Sequence, residues 1–402
     1  MKTVAVISEY NPFHLGHAYQ YRRIREEFGE DTAIIAIMSG NYVQRGTPAV
    51  LGKFDRARMA ITAGASLVLE LPFPYSAASA EFFAKAGVSI AEDLGVIDAL
   101  SFGSECGDTA LLETFASKMV APEFEKAFRT RLKEKSARDA GYAKLLSETF
   151  SSLYGQDIPD FLSLPNNILA ISYISALKKL NSSICPHTIL RHGTDEDCAT
   201  EDALAGATHV RSLFLSGKTE EALTHIPSEL HPLWADAFSR GASPVSYESL
   251  APILLSHLRM KNETQTPIAD SGGGVLSLLQ NTACKACSMD ELISLAATKK
   301  YTRAHLRRAT LFSYFGVTPA ALKQKPLYTQ VLAMDERGRA ILASIRKTSR
   351  ISLLTKPADL HKLSESAREQ AVLAYRADSV YALALPTPQR SDIFLCTAPF
   401  RK

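Results

Sequence analysis

No apolar run in this 402-residue chain approaches the ~18 residues of a membrane-spanning helix. Met1-Lys2 leads straight into a short apolar stretch, without the layout of a secretory signal. The expectation is therefore a cytoplasmic protein that makes no use of a membrane. Six cysteines, Cys106, Cys185, Cys198, Cys284, Cys287 and Cys396, are too few and too scattered for a disulfide framework. Cys284-x-x-Cys287 has no second pair to complete a zinc site or a redox motif. A Walker lysine motif is missing, and so is a Gly-x-Gly-x-x-Gly after the first strand, which disfavours P-loop kinases and dinucleotide dehydrogenases. There is no His-Glu-x-x-His either, and no metal centre is expected. Charge of one sign is also lacking: the net charge is only +3, with 22% of residues charged. That balance does not exclude nucleic acid, because binding depends on a local patch.

What is present is ordinary globular material, 46% hydrophobic, long enough for two domains. The chain is organised around residues 4–17. Val4 to Ile7 reads as a buried parallel strand. Asn11-Pro12 is turn chemistry, and Pro12 ends any ladder. A helix then opens at His14-Leu15-Gly16-His17, where Gly16 permits close approach and the two histidines share a face. Polar residues at the carboxyl end of a first strand, beside helix N–H groups, make a place for phosphate.

Strands are expected at 32–38, 67–71, 97–102 and 187–191. Helices are expected at 16–28, 52–64, 76–87 and 168–180. This alternation predicts an α/β, Rossmann-like domain with a parallel sheet over residues 1–215, carrying a charged helical insertion at about 110–163. The polar loop Ser39 to Gly46 falls at a ligand-binding sheet edge, with Arg45 and Lys53 as candidate anion contacts. Asn166-Asn167 reads as a helix cap with an amide to spare for a ligand. The small residues before Thr208, with Arg211 a turn later, again suit phosphate.

From about Ser212 strand signals fade, and residues 216–402 are expected to form a mainly helical second domain. Ser271 to Gly274 reads as a hinge or turn. Leu383 to Pro386 and Ile393 to Cys396 are candidate short strands. The most basic stretch, 299–308, holds Lys299, Lys300, Arg303, Arg307 and Arg308 with no acid among them. Beside a nucleotide-binding domain, such a run reads as a contact to a phosphate backbone.

His14-Leu15-Gly16-His17 resembles the nucleotidyltransferase superfamily marked by His-x-Gly-His. Ala207-Thr208-His209-Val210-Arg211 resembles its later Ser-Thr-x-x-Arg element, with Gly206 and Ala207 where serines are usual. The wider set looks like the bacterial tRNA(Met) cytidine acetate ligase family. It comprises residues 8–17 and 38–46, Glu70-Leu71-Pro72, Phe102-Gly103-Ser104-Glu105, Pro165-Asn166-Asn167-Ile168-Leu169 and Lys300-Tyr301-Thr302-Arg303. The resemblance implies a ligase that makes acetyl-adenylate from acetate and ATP, then acetylates the wobble cytidine of elongator tRNA(Met). Mg2+ would accompany the ATP, and no protein partner is implied. It carries an ATP site onto Ile7-Ser8-Glu9-Tyr10-Asn11-Pro12-Phe13-His14-Leu15-Gly16-His17-Ala18-Tyr19-Gln20, Gly103, Asn166, Asn167, Arg191, Thr208 and Arg211. His14 and His17 would be the catalytic pair. The alternatives are an adenylyltransferase of a small molecule or coenzyme precursor, and a non-catalytic, ATP-dependent RNA-binding protein.

Overall fold

The computed structural model describes residues 1–133, 142–155, 160–162, 164–191, 205–260 and 267–402. Cys198, and residues 134–141, 156–159 and 163 of the expected insertion, lie outside the described residues.

Short apolar strands alternate with helices through the first 190 residues. In chain order they are β1 (Thr3–Ser8), α1 (Leu15–Phe28), β2 (Ala33–Ser39), β3 (Tyr42–Val43), β4 (Thr47–Pro48), α2 (Lys53–Thr62) and β5 (Leu67–Leu71). Then come α3 (Ala80–Leu94), β6 (Ala99–Ser104), α4 (Thr109–Val120), α5 (Pro122–Lys133), α6 (Tyr142–Tyr154), α7 (Pro165–Lys179) and β7 (Cys185–Leu190). The second half holds α8 (Ala207–Leu215), α9 (Thr219–Thr224), α10 (His231–Ser239), α11 (Ala251–Arg259), α12 (Val275–Ala283), α13 (Met289–Ala296), α14 (Arg303–Phe315) and α15 (Pro319–Lys323). It closes with β8 (Tyr328–Met334), α16 (Glu336–Thr348), β9 (Ser352–Leu354), α17 (Glu365–Leu383), α18 (Ile393–Cys396) and β10 (Phe400–Arg401).

The main sheet has the order β10-β8-β5-β2-β1-β6-β7, with β9 paired to β8. The five strands from β5 to β7 are mutually parallel, with Val4 opposite both Ile34 and Ala99. All seven residues of β2 are buried, as a strand covered on both faces requires. Alternate residues serve opposite layers. Ala5, Ile7, Ile35, Ile37 and Leu69 pack with Phe83 of α3 and Ile174 of α7. Val4, Val6, Ile34, Met38 and Val68 pack with Tyr21 and Ile24 of α1 and Met59 of α2. A third apolar cluster joins α11, α12, α13, α14 and α17, and Tyr42 and Phe73 from the first half are part of it. Among the described residues no helix is long and apolar enough to cross a membrane.

Several expectations from the sequence need correcting. Strands do not end near Ser212: β8 joins the main sheet antiparallel to β5, with all seven of its residues buried. Its apolar run is broken by Thr329 and Gln330, which hides it from pattern reading. Both are satisfied inside, Thr329 Oγ1 donating to the Glu70 carbonyl at 2.7 Å and Gln330 Oε1 accepting from Lys53 Nζ at 3.1 Å. Leu383 ends the long helix α17 rather than opening a strand, and Ile393–Cys396 is one helical turn. The helix expected at 76–87 starts later, at Ala80 after a 3-10 turn at Tyr75–Ala77, and runs on to Leu94. The loop at 39–46 contains the β3–β4 hairpin.

Candidate functional site

The chain steps from β1 to β2 to β5 on one side, then returns to β6 and β7 on the other. In an open α/β sheet this reversal leaves a crevice at the strand carboxyl ends, where ligands bind. A cleft of about 210 Å³ lies there, lined by Ile7, Ser8, Phe102, Gly103 and Arg191 together with residues of α1, α7, α8 and the β3–β4 turn.

The His-x-Gly-His spacing has a local cause. His14 is the N-cap of α1, in extended conformation, and its Nδ1 accepts the Gly16 N–H at 3.0 Å. His17 Nδ1 accepts the His14 N–H at 3.2 Å, so each imidazole satisfies a backbone donor of the first turn. A Cβ at residue 16 would stand 2.7 Å from His14 Cε1, so glycine is needed to seat the His14 ring rather than a ligand. The rings lie 4.0 Å apart between centroids. Tyr10 meets the His17 ring edge-on at 4.9 Å, and its hydroxyl touches that of Tyr21. Since both Nδ1 atoms accept, each neutral ring carries its proton on Nε2. Burial lowers the His14 pKa to about 3, assisted by the positive fields of Arg191 and Arg211. Burial, then His14 and Arg191, hold His17 well below the usual histidine value. The pair is thus two neutral N–H donors.

Cations surround these donors. Arg211 on α8 donates to the Asn11 carbonyl at 2.6 Å and to Thr208 Oγ1 at 3.2 Å, and Arg45 donates to the same hydroxyl at 3.3 Å. The N-cap of α8 is Gly206, which offers no capping side chain. Opposite, a Cβ on Gly103 would lie 3.0 Å from Arg191 Cγ, so Gly103 lets that arginine lie across the strand end. Among the described residues no cluster of three His, Cys, Asp or Glu could hold a metal ion.

The Asn pair divides its roles. The cap expected from asparagine is supplied instead by Glu105, whose carboxylate accepts the Asn166 and Asn167 N–H groups at 3.0 and 2.6 Å; the N-cap position itself is Leu164. Asn166 lines the cleft. Asn167 is fully buried, its Oδ1 accepting the Glu105 and Cys106 N–H groups and its amide donating to Phe161, so it supports the loop from within.

Of the residues marked from the sequence, Ile7, Ser8, Glu9, Tyr10, Asn11, His14, His17, Gln20, Gly103, Asn166, Arg191, Thr208 and Arg211 line the cleft, and Gly16 and Tyr19 line its extension. Pro12, Phe13, Leu15, Ala18 and Asn167 do not line either space. Gln44, Phe83, Leu169 and Tyr173 also line it. Gln44 and Leu169 lie in motifs quoted from the sequence without being marked there as site residues; no motif marks Phe83 or Tyr173.

Lys53 is not an anion contact. It is fully buried, with Nζ 2.9 Å from Glu70 and 2.7 Å from Asp378. In the basic stretch Arg308 Nε pairs with Asp270 at 2.6 Å and Arg303 with Asp290 at 3.4 Å. Arg307 lies 5.7 Å over Tyr247 and Lys300 4.6 Å over Tyr301. Lys299 and Lys300 precede α14, whose N-cap is Thr302.

Paired neutral donors at a helix N-terminus, flanked by Arg191 and Arg211, suit a polyphosphate and the charge that builds on a phosphorus centre under attack. Residues 1–393 match the family described as HIGH Nucleotidyl Transferase. The chain is 32% identical over 406 aligned positions to the tRNA(Met) cytidine acetate ligase of Acetivibrio thermocellus, with 96% of each chain covered. It is 32% identical over 415 positions to that of Clostridium perfringens, with 100% of each covered. Two solved structures share the fold over 100% of both chains: Thermotoga maritima TmcAL bound with alpha-thio ATP (TM-score 0.89, 28% identity) and its apo form (TM-score 0.90, 29% identity). Family match and relatives agree with the cleft's chemistry, and the chain belongs to the HIGH Nucleotidyl Transferase family and, within it, to the tRNA(Met) cytidine acetate ligases.

Proposed function

We propose that this chain activates acetate with ATP and transfers the acetyl group to the exocyclic amine of the wobble cytidine of elongator tRNA(Met). The observation that carries this reading is the neutral His14–His17 pair, both Nδ1 atoms tied to backbone, set beside Arg191 and Arg211. The relatives named for this activity, and the structural neighbour holding an ATP analogue, support it.

In the first step an acetate oxygen attacks the α-phosphorus of ATP, the bond to the bridging oxygen breaks, and pyrophosphate leaves with that electron pair. The nucleophile is already an anion, so no general base is required. The site's work is to hold the triphosphate and to stabilise charge on the five-coordinate phosphorus and on the leaving group, through His14 and His17 Nε2–H with Arg191 and Arg211. In the second step the cytosine amine attacks the acyl carbon, the carbon–oxygen bond to phosphate breaks, AMP leaves and the amine gives up a proton. The amine lone pair is delocalised into the ring, so activation has to come first. The base must be splayed out of its stack to reach the cleft.

Mg2+ suits the triphosphate, which would supply most of its ligands. Among the described residues Glu9 is the only carboxylate lining the cleft, and its Oε1 already accepts the Gln44 N–H at 2.9 Å. Its other oxygen would be the carboxylate ligand the protein offers there, in keeping with an ion held mainly by the phosphates. Residues 216–402, with Lys299, Lys300, Arg303, Arg307 and Arg308, form the proposed RNA-binding part. Work on tRNA would place the protein in the cytoplasm.

Incubation with labelled acetate, ATP and total tRNA, followed by digestion to nucleosides, tests the reading. Label should appear in acetylcytidine only when ATP is present. Label in no nucleoside, or equal label without ATP, would contradict it.

A further inference from the structure

The turn Gln44-Arg45-Gly46 joins β3 to β4 and lies between the cleft and the cationic end of α14. Gly46 has φ 72° and donates its N–H to the Val43 carbonyl at 2.8 Å, the geometry of a three-residue hairpin closed by a left-handed glycine. A Cβ on Gly46 would stand 2.5 Å from the Arg308 nitrogen and 2.8 Å from the Arg307 carbonyl carbon. The turn therefore lies directly against the backbone of α14. Its other side faces the cleft: Gln44 N–H donates to Glu9 Oε1 at 2.9 Å, and Arg45 reaches Thr208 Oγ1 at 3.3 Å.

Arg45 is exposed at this lip. The arginines nearby act on one another. Burial lowers the Arg307 pKa, Tyr247 opposes that fall, and Arg303 and then Arg45 press it further down, with Asp290 acting the other way. Like charges from two separate elements thus converge beside the cleft. A bound chain of phosphates would relieve that repulsion, while a single small anion in the cleft would reach only one end of it.

We propose that this turn is the seat of the acceptor nucleotide: Arg45 takes an RNA phosphate flanking the base to be acylated, and α14, by holding Gly46, fixes where that phosphate lies relative to the cleft. The inference rests on the reading that the acyl acceptor is RNA. It gives the second half-reaction a contact that the first does not need.

The test uses the full chain with tRNA. Binding is measured against salt concentration, and acetyl transfer at subsaturating tRNA is compared with acetate-dependent ATP–pyrophosphate exchange. Arg45→Gln should make the slope of log affinity against log salt shallower by about 0.7, one single-strand phosphate contact. It should lower transfer at least ~10-fold further than it lowers exchange, in keeping with a contact that takes no part in adenylation. Arg45→Lys should restore the slope. Gly46→Ala, which displaces the turn without changing charge, should keep the wild-type slope yet slow transfer more than exchange. An unchanged slope in Arg45→Gln, or equal losses in transfer and exchange, would overturn the proposal. Absence of exchange in the wild type would overturn the ligase reading instead, and the salt slope would still decide the role of the turn.

Discussion

His14→Ala is expected to reduce acetate-dependent ATP–pyrophosphate exchange by about 100- to 1000-fold, the usual loss when one preorganised donor to a developing oxyanion is removed. The same change removes a helix N-cap, so part of the loss could come through α1. His14→Asn separates the two effects. Asparagine is a good cap and can keep the bond to the Gly16 N–H, restoring stability, but its amide stops short of the Nε2 position and should not restore the rate. Acid sensitivity gives a second readout. With a folded pKa of about 3 against 6.5 unfolded, His14 binds fewer protons in the native state, so its contribution to stability is present above 6.5 and is lost as pH falls below it. Between pH 7 and 5 that loss is about 2 kcal/mol, and His14→Ala should be spared it. Urea midpoints at the two pH values measure the difference. Exchange within about threefold of wild type in His14→Ala would remove the imidazole from the transition state.

Lys53→Met should be the most destabilising single change outside the cleft, costing about 3–5 kcal/mol. Burial alone would pull the Lys53 pKa down, but Asp378 and Glu70 together raise it above the ordinary lysine value, so the ammonium stays charged. Its site is fully furnished: Gln330 Oε1 accepts from Nζ, while Asn41 accepts the Lys53 N–H and donates to Asp378, each at 2.8 Å. Methionine fills the space but leaves two carboxylates buried without their cation. The network ties α2 and β5 to β8 and α17, so its loss should loosen the sheet where the two halves of the chain meet. Arg240→Ala, which breaks half-exposed pairs with Asp55 and Asp236, should cost no more than about 1 kcal/mol. Equal denaturation midpoints for the two variants would contradict this assignment.

The legible parts of the molecule are those whose cause is local. β1 and β2 are apolar runs bounded by turns, and His14, Gly16 and His17 form a reciprocal cap within four residues. Arg211 is marked by its place one turn into a helix opened by small residues, and Arg191 by the family resemblance. What was hidden depends on partners far along the chain. Thr329 and Gln330 look polar until Glu70 and Lys53 are set beside them. Lys53 looks like a surface cation until Asp378, more than three hundred residues on, reaches it. Asn167 looks like a ligand contact until the Glu105 loop folds over it. Phe83 and Tyr173 enter the cleft only because α3 and α7 cover the same sheet face.

The central claim is that a carboxylate displaces pyrophosphate in the cleft around His14 and His17. Acetate labelled with 18O in both carboxylate oxygens tests it most directly, in a complete reaction with ATP and tRNA. Attack on the α-phosphorus, followed by acyl transfer, leaves one acetate oxygen behind, so the AMP released should carry one 18O per acetyl group transferred. Unlabelled AMP, with the isotope found in inorganic phosphate or nowhere in the nucleotide, would contradict the account.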